Sequence, residues 1–87
     1  MRRDKHDIAK AVLEAARTPI QKTQLMYKAR LSFAQLNRYL DLMIESGLLE
    51  NRRTDEGKYN GVLYKTTEKG YRFIESLESA ERLWAIQ

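Results

Sequence analysis

Cysteine is absent from this chain, and that alone excludes a disulfide framework, a thiolate zinc site and a cysteine nucleophile. Such a composition fits a reducing interior. Histidine occurs once, as His6 in a charged N-terminal segment expected to fray, so no imidazole cluster is available to a metal or to acid-base chemistry. Only four glycines are present and none builds a phosphate-cradling loop, while Asp41 and Glu45 share a helix face expected to open to water. An enzyme is therefore the least expected class, with no cofactor and no small-molecule ligand indicated. Long hydrophobic runs are missing as well: nothing approaches the ~18 apolar residues of a membrane span. The charged start Met1-Arg2-Arg3-Asp4-Lys5-His6 is followed by no apolar signal core. The expectation is a soluble, cytoplasmic protein with no membrane partner.

What the chain does have is charge, unevenly placed. The net charge is +4; residues 1–67 carry 13 Lys/Arg against 8 Asp/Glu, a balance of +5, and residues 68–87 carry 3 against 4. A polyanion would be drawn to the first part, leaving the near-neutral C-terminal segment to meet another protein surface. At 87 residues the chain makes one domain with a small core, and folding at this size hides only about 60% of the surface of the unfolded chain. Association with a second chain would add the buried area that such a core lacks.

Ile8, Val12, Leu13 and Ala16 recur as on one face of a helix over residues 4–16. Thr18-Pro19-Ile20 ends it, because proline has no amide donor and disfavours the helical region for the residue before it, and a short extended bridge follows. Gln21-Lys22-Thr23 leads into Leu25, Met26 and Ala29, a short second helix closed by Arg30-Leu31-Ser32. Ser32 suits the N-cap of a third helix, with Gln35 completing a capping box; that helix runs to Ser46 and stops at Gly47, which can turn left-handed without a Cβ clash. Residues 48–53 and 62–66 read as the strands of a hairpin with a long polar tip. Its register is left open by two competing turn signals, Asp55-Glu56-Gly57 and Asn60-Gly61. Thr67 then caps a fourth helix, with Glu68 in the favourable first turn.

The order helix, short strand, helix, turn, helix, hairpin, helix gives an α+β, mostly α fold. A short helix joined tightly to a longer one and followed by a two-stranded wing is the winged helix-turn-helix, whose third helix enters the DNA major groove. Residues 1–67 make that domain, and residues 68–87 add a C-terminal dimerisation helix within the same structural unit. The run Leu31-Ser32-Phe33-Ala34-Gln35-Leu36-Asn37-Arg38-Tyr39-Leu40, then Ser46-Gly47-Leu48-Leu49-Glu50 and Tyr64-Lys65-Thr66-Thr67-Glu68-Lys69-Gly70, resembles the archaeal ArnR-like winged-helix family over nearly the whole chain. That resemblance implies a small dimeric DNA-binding protein whose last helices pair as an antiparallel coiled coil.

On the third helix, at about 100° per residue, Phe33, Leu36, Leu40, Met43 and Ile44 fall on one side and are expected to pack on the first two helices. Ala34, Gln35, Arg38, Asp41, Leu42 and Glu45 lie on the other. Arg38 has the planar donors that suit guanine and Gln35 the amide that suits adenine, small Ser32 and Ala34 permit close approach, and Asn37 stands at the margin. The same face also reads as an ordinary solvated surface, which Asp41 and Glu45 favour, although in the usual docking this end of the helix lifts away from the groove. Lys22 and Thr23 at the start of the second helix suit a phosphate oxygen or serve as plain caps. Arg52, Arg53 and Lys58 flank the hairpin tip with Tyr59, either to reach the DNA backbone or minor groove or as a charged edge that discourages aggregation. Arg2, Arg3 and Lys5 make a phosphate-binding arm or, the reading favoured here, a solubilising terminus.

The fourth helix carries Gly70, Phe73, Leu77, Ala80 and Trp84 at spacings of three and four. Tyr71, Phe73 and Ile74 are expected to dock on the first helix, whereas Leu77, Leu83, Trp84 and Ile86 extend past the body, an adhesive patch unless a partner or a folded-back tail covers it. A dimer interface of Phe73, Leu77, Ala80, Leu83 and Trp84 would set two third helices about 34 Å apart, on successive major grooves. The expected function is a double-stranded DNA-binding transcriptional regulator acting as a homodimer. A nucleoid-associated, chromatin-type DNA-binding protein and a winged-helix module for protein assembly are the alternatives. Trp84→Ala, or truncation after Ser76, is expected to give a monomer with much weaker DNA binding; sedimentation showing an unchanged dimer overturns the pairing through this helix.

Overall fold

The computed structural model describes residues 3–54 and 61–85. Its first helix, α1 (Lys5–Ala15), starts at a capping box: the Asp4 carboxylate accepts from the Asp7 N–H at 2.9 Å, and the Asp7 carboxylate accepts from the Asp4 N–H at 3.2 Å. The Asp7 amide stabilises the ionised form of Asp4 and so holds its carboxyl below the usual range. Ile8, Val12 and Leu13 turn one face inward, and Ala16 continues it past the helix end. Beyond Pro19 the chain extends as β1 (Ile20–Gln21) and enters α2 (Lys22–Ala29), then α3 (Phe33–Glu45). These helices deliver Leu25, Ala29, Leu36, Leu40 and Met43 to one core with Leu31, Ile20 and the α1 residues.

Both helix ends that flank α3 close in the same way. At the end of α2 the Arg30 N–H donates to the Tyr27 carbonyl at 3.2 Å and the Leu31 N–H to that of Met26 at 3.1 Å. At the end of α3 the Gly47 N–H donates to Ile44 at 3.0 Å and the Leu48 N–H to Met43 at 2.9 Å. This paired pattern requires a left-handed residue, which is Gly47 at φ +78° in one case and Arg30 at φ +56° in the other.

The hairpin joins β2 (Leu49–Thr54) to β3 (Gly61–Thr66), antiparallel from Leu49↔Thr66 to Thr54↔Gly61. The register is thereby decided: Gly61 is a strand residue, and residues 55–60, which hold the other turn signal, lie outside the described residues. The extended bridge joins this sheet too, pairing Ile20 with Tyr64 and Gln21 with Leu63, so the sheet has three strands in the order β1-β3-β2. The last element is a helix of 18 residues, α4 (Glu68–Ala85). It docks where expected, with Ile74 fully buried and Tyr71 and Phe73 partly buried on the core, and Lys10 of α1 meets Glu81 at 3.3 Å two turns further along.

All these pieces meet at residues 66–70. The buried Thr66 gives its hydroxyl to the Leu13 carbonyl at 2.7 Å and its N–H to the Ala16 carbonyl at 2.8 Å, satisfying acceptors at the end of α1 that have no helical partner. Thr67 faces the other way: its hydroxyl donates to Gly47 at 2.6 Å and accepts from the Gly70 N–H at 3.1 Å, and its own N–H reaches the Leu48 carbonyl at 3.1 Å. Lys69 donates to the Ser46 carbonyl at 2.6 Å. Gly70 lets α4 lie on this corner, because a Cβ there would overlap the Leu48 carbonyl oxygen and come within 2.5 Å of Thr66 Cγ2. Gly70→Ala is expected to destabilise the fold by about 3 kcal/mol, and Thr66→Val, which keeps the shape and removes the hydroxyl, by about 1–2 kcal/mol. Urea unfolding checks both, and a Gly70→Ala variant as stable as the parent would refute the close approach.

Candidate nucleic-acid interface

The first turn of α3 is organised by its own cap. Ser32 Oγ accepts from the Gln35 N–H at 3.2 Å, while Gln35 Oε1 accepts both the Ser32 N–H and the Ser32 hydroxyl at 3.2 Å. The capping box expected from the sequence is thus present, and it has a cost for recognition: reading adenine needs both ends of a glutamine amide, and the oxygen of Gln35 is engaged within the turn. Arg38, one turn on, stands exposed, and among the described residues no carboxylate pairs with its guanidinium. Ala34 is exposed beside it and Asn37 is half-buried.

Phe33 corrects the sequence reading. Expected in the core with Leu36, Leu40, Met43 and Ile44, it is 58% exposed instead. Leu36, Leu40 and Met43 are buried and Ile44 packs partly against them, but Phe33 is the first residue of the helix, overhanging the core at the edge of its apolar face. The Lys22 ammonium lies over the Phe33 ring, 4.7 Å from its centroid. Lys22 opens α2, with exposed Thr23 next to it, and the N-cap position is held by Gln21, which makes no side-chain capping bond, so neither Lys22 nor Thr23 is the cap residue of this helix.

The wing separates residues that the sequence grouped. Neighbouring strand residues point to opposite faces, so Arg53 shares the face of buried Leu49 and of Asn51, while Arg52 shares that of Glu50 and bonds its carboxylate at 3.3 Å. Both arginines are exposed, and with Pro19, Leu63 and Lys65 they line a cavity of about 250 Å³ beside the sheet. Lys58 and Tyr59 lie outside the described residues. On the α3 side, burial pushes the Tyr64 phenol up, helped by the Asp41 carboxylate, which places that acid near the base of the wing.

Sequence reasoning missed several exposed side chains around this face. Tyr27, Lys28 and Arg30 stand out at the end of α2, and the Arg3 guanidinium reaches the Arg30 carbonyl at 3.2 Å. A polar, basic end to a short helix carries no periodic signal of its own. On α4, Phe73 and Leu77 are half-buried, Ala80 and Leu83 are exposed, and the Trp84 side chain and Ile86 lie outside the described residues. Phe73 also lines an apolar cavity of about 280 Å³ with Ala9, Tyr39, Leu42, Met43 and Leu48, and Leu42 is 53% exposed at its edge.

Comparison with known proteins supplies an independent line. The family described as winged helix-turn-helix matches residues 2–84. Among solved structures, Sso10a-2, a DNA-binding protein from Sulfolobus solfataricus, superposes with a TM-score of 0.77 at 22% identity over 97% of this chain and 88% of its own. A possible HxlR family transcriptional factor from Thermoplasma volcanium gives 0.66 at 25% identity, covering 95% and 73%. The MarR family transcriptional regulator SPO1453 from Silicibacter pomeroyi gives 0.66 at 18% identity over 91% of this chain, which spans about half (55%) of that regulator. No match exists among curated proteins.

One residue of this face is in a strained backbone conformation. Arg30 holds the left-handed position that a glycine would occupy freely, at a backbone cost of roughly 1 kcal/mol. Arg30→Gly is expected to raise stability in chemical denaturation by about 0.5 kcal/mol once the added freedom of the unfolded glycine is subtracted; a loss of stability would show that the arginine side chain contributes more than its backbone costs.

Proposed function

This chain belongs to the winged helix-turn-helix family, and from that premise we propose that it is a double-stranded DNA-binding protein, a transcriptional regulator acting as a homodimer. In this reading α3 enters the major groove and the wing meets the backbone or the minor groove. The observation that carries it is the exposed start of α3, where Arg38 pairs with no carboxylate among the described residues and Lys22 of α2 lies over the Phe33 ring, with Thr23 and Lys28 of α2 and Arg30 at its C-cap also exposed. Phosphate contacts from those groups would position the helix and Arg38 would read a base, with guanine its natural partner. The printed descriptions of the similar structures, a DNA-binding protein and transcriptional regulators, support the same assignment. Ser32 and Gln35 serve first as the cap of the reading helix, and Asn37 stands at its edge. Arg53, and Lys58 beyond the described strands, are the wing residues that would reach phosphate, whereas Arg52 is held by Glu50.

Residues 68–87 are the dimerisation helix in this proposal. The exposed apolar stripe of α4, of which Leu83 is 70% exposed, supports it, as does the apolar cavity that continues the stripe from Phe73 onto α1 and α3. The likeness of residues 31–40 and 64–70 to the archaeal ArnR-like branch points to an antiparallel pairing. A general, chromatin-type DNA-binding role is the second reading, favoured by the engagement of Gln35 in its cap, which removes one of two base readers.

A salt titration on duplex DNA tests the central claim: affinity is expected to fall by orders of magnitude between about 50 and 200 mM salt, because each phosphate contact releases counterions. Absence of any binding at low salt overturns it. Arg38→Ala is expected to reduce discrimination between selected and random duplexes, whereas Arg53→Ala weakens both alike; equal loss on both from Arg38→Ala decides for the general DNA-binding role.

A further inference from the structure

We propose that Phe33 is a specificity-determining residue that reads the 5-methyl group of thymine in the major groove, with the Ala34 methyl beside it. The inference rests on the DNA-binding reading above and goes beyond it. A phenylalanine that is 58% exposed at the first residue of a helix leaves a large apolar area in water, covered only in part by the Lys22 ammonium over one face of its ring. Its neighbours in that turn are polar but occupied: Ser32 and Gln35 satisfy each other through the capping box. What the tip of α3 presents is therefore an aromatic ring and a methyl, Phe33 and Ala34, between two cations, Lys22 and Arg38.

The N-terminal residues of a reading helix are the ones that meet base edges. Among the four bases in the major groove, only thymine offers an apolar group, its 5-methyl, and phenylalanine and alanine are side chains that match it. Lys22 completes the arrangement. Its ammonium, 4.7 Å from the ring centroid, steadies the ring face and brings a positive charge alongside the phosphate of the contacted nucleotide. Recognition is then divided within one helical turn: Arg38 takes hydrogen-bonding edges, and Phe33 with Ala34 takes the methyl.

The test compares a short random-sequence duplex pool made with thymine against the same pool made with deoxyuridine, which differs only by the methyl. It uses the full chain at salt low enough for phosphate contacts to hold every variant on DNA. The parent protein is expected to prefer the thymine pool by about fourfold for each methyl buried, and Phe33→Ala to bind the two pools alike. Binding by the parent with no preference overturns this inference and leaves the DNA-binding reading standing, and so does a preference that persists undiminished in Phe33→Ala, which would assign the methyl effect to the DNA itself. Absence of binding to either pool overturns both.

Discussion

Two hydrogen bonds from one buried residue hold the arrangement of this small protein. Thr66 ends the last strand of the sheet and, with its hydroxyl and its amide, closes the carbonyls of Leu13 and Ala16 at the end of α1. A helix end inside a protein needs such partners, because an unpaired carbonyl away from water is costly. The alternative would be to leave α1 open to solvent at the very point where Ile20, Leu49 and Ile74 close the core. The next residue, Thr67, performs the corresponding service for the end of α3, and the Tyr71 hydroxyl reaches the Arg17 carbonyl at 3.2 Å, so three successive structural needs are met within six residues of chain.

The tip of α3 shows how a structural requirement reshapes an exposed surface. A helix with an exposed N-terminus needs its first amides satisfied, and Ser32 with Gln35 does this locally. These two exposed polar side chains are thereby hydrogen-bonded to each other, and the rest of the tip is apolar and cationic. Charge on this protein is arranged to the same effect. Lys22 lies on an aromatic ring and Arg38 pairs with no described carboxylate, whereas Arg17 is paired with Glu14 and Arg52 with Glu50 on other surfaces.

Most of the architecture was legible in the sequence because it is written in local signals. Ser32 and Thr67 begin helices, Pro19 ends one, Gly47 turns a corner, and the spacing of Leu36, Leu40 and Met43 marks the inner face of α3. Where reading failed, the cause was tertiary. Phe33 satisfies the helical period, yet its position one turn before Leu36 carries it past the buried core, where it meets only the Lys22 ammonium at the start of α2, a fact about helix placement that periodicity does not contain. The left-handed Arg30 was invisible for a different reason: glycine would have announced that conformation, and arginine adopts it only because the tight bond pattern at the end of α2 imposes it. The short strand after Pro19 was legible but its pairing with β3 was not, since two residues carry no alternation that says which strand they join.

Gly70 and the residues around it make a joint without a spacer. The end of α3 and the start of α4 are held together by Thr67, by Lys69 on the Ser46 carbonyl, and by a backbone approach so close that no side chain intervenes. Nothing in this corner is long enough to bend. The joint fixes where α4 begins relative to the end of α3. The length of α4 lies on α1, through the buried Ile74 and the Lys10–Glu81 pair, so the direction of the last helix is set at one end by α3 and along its course by α1.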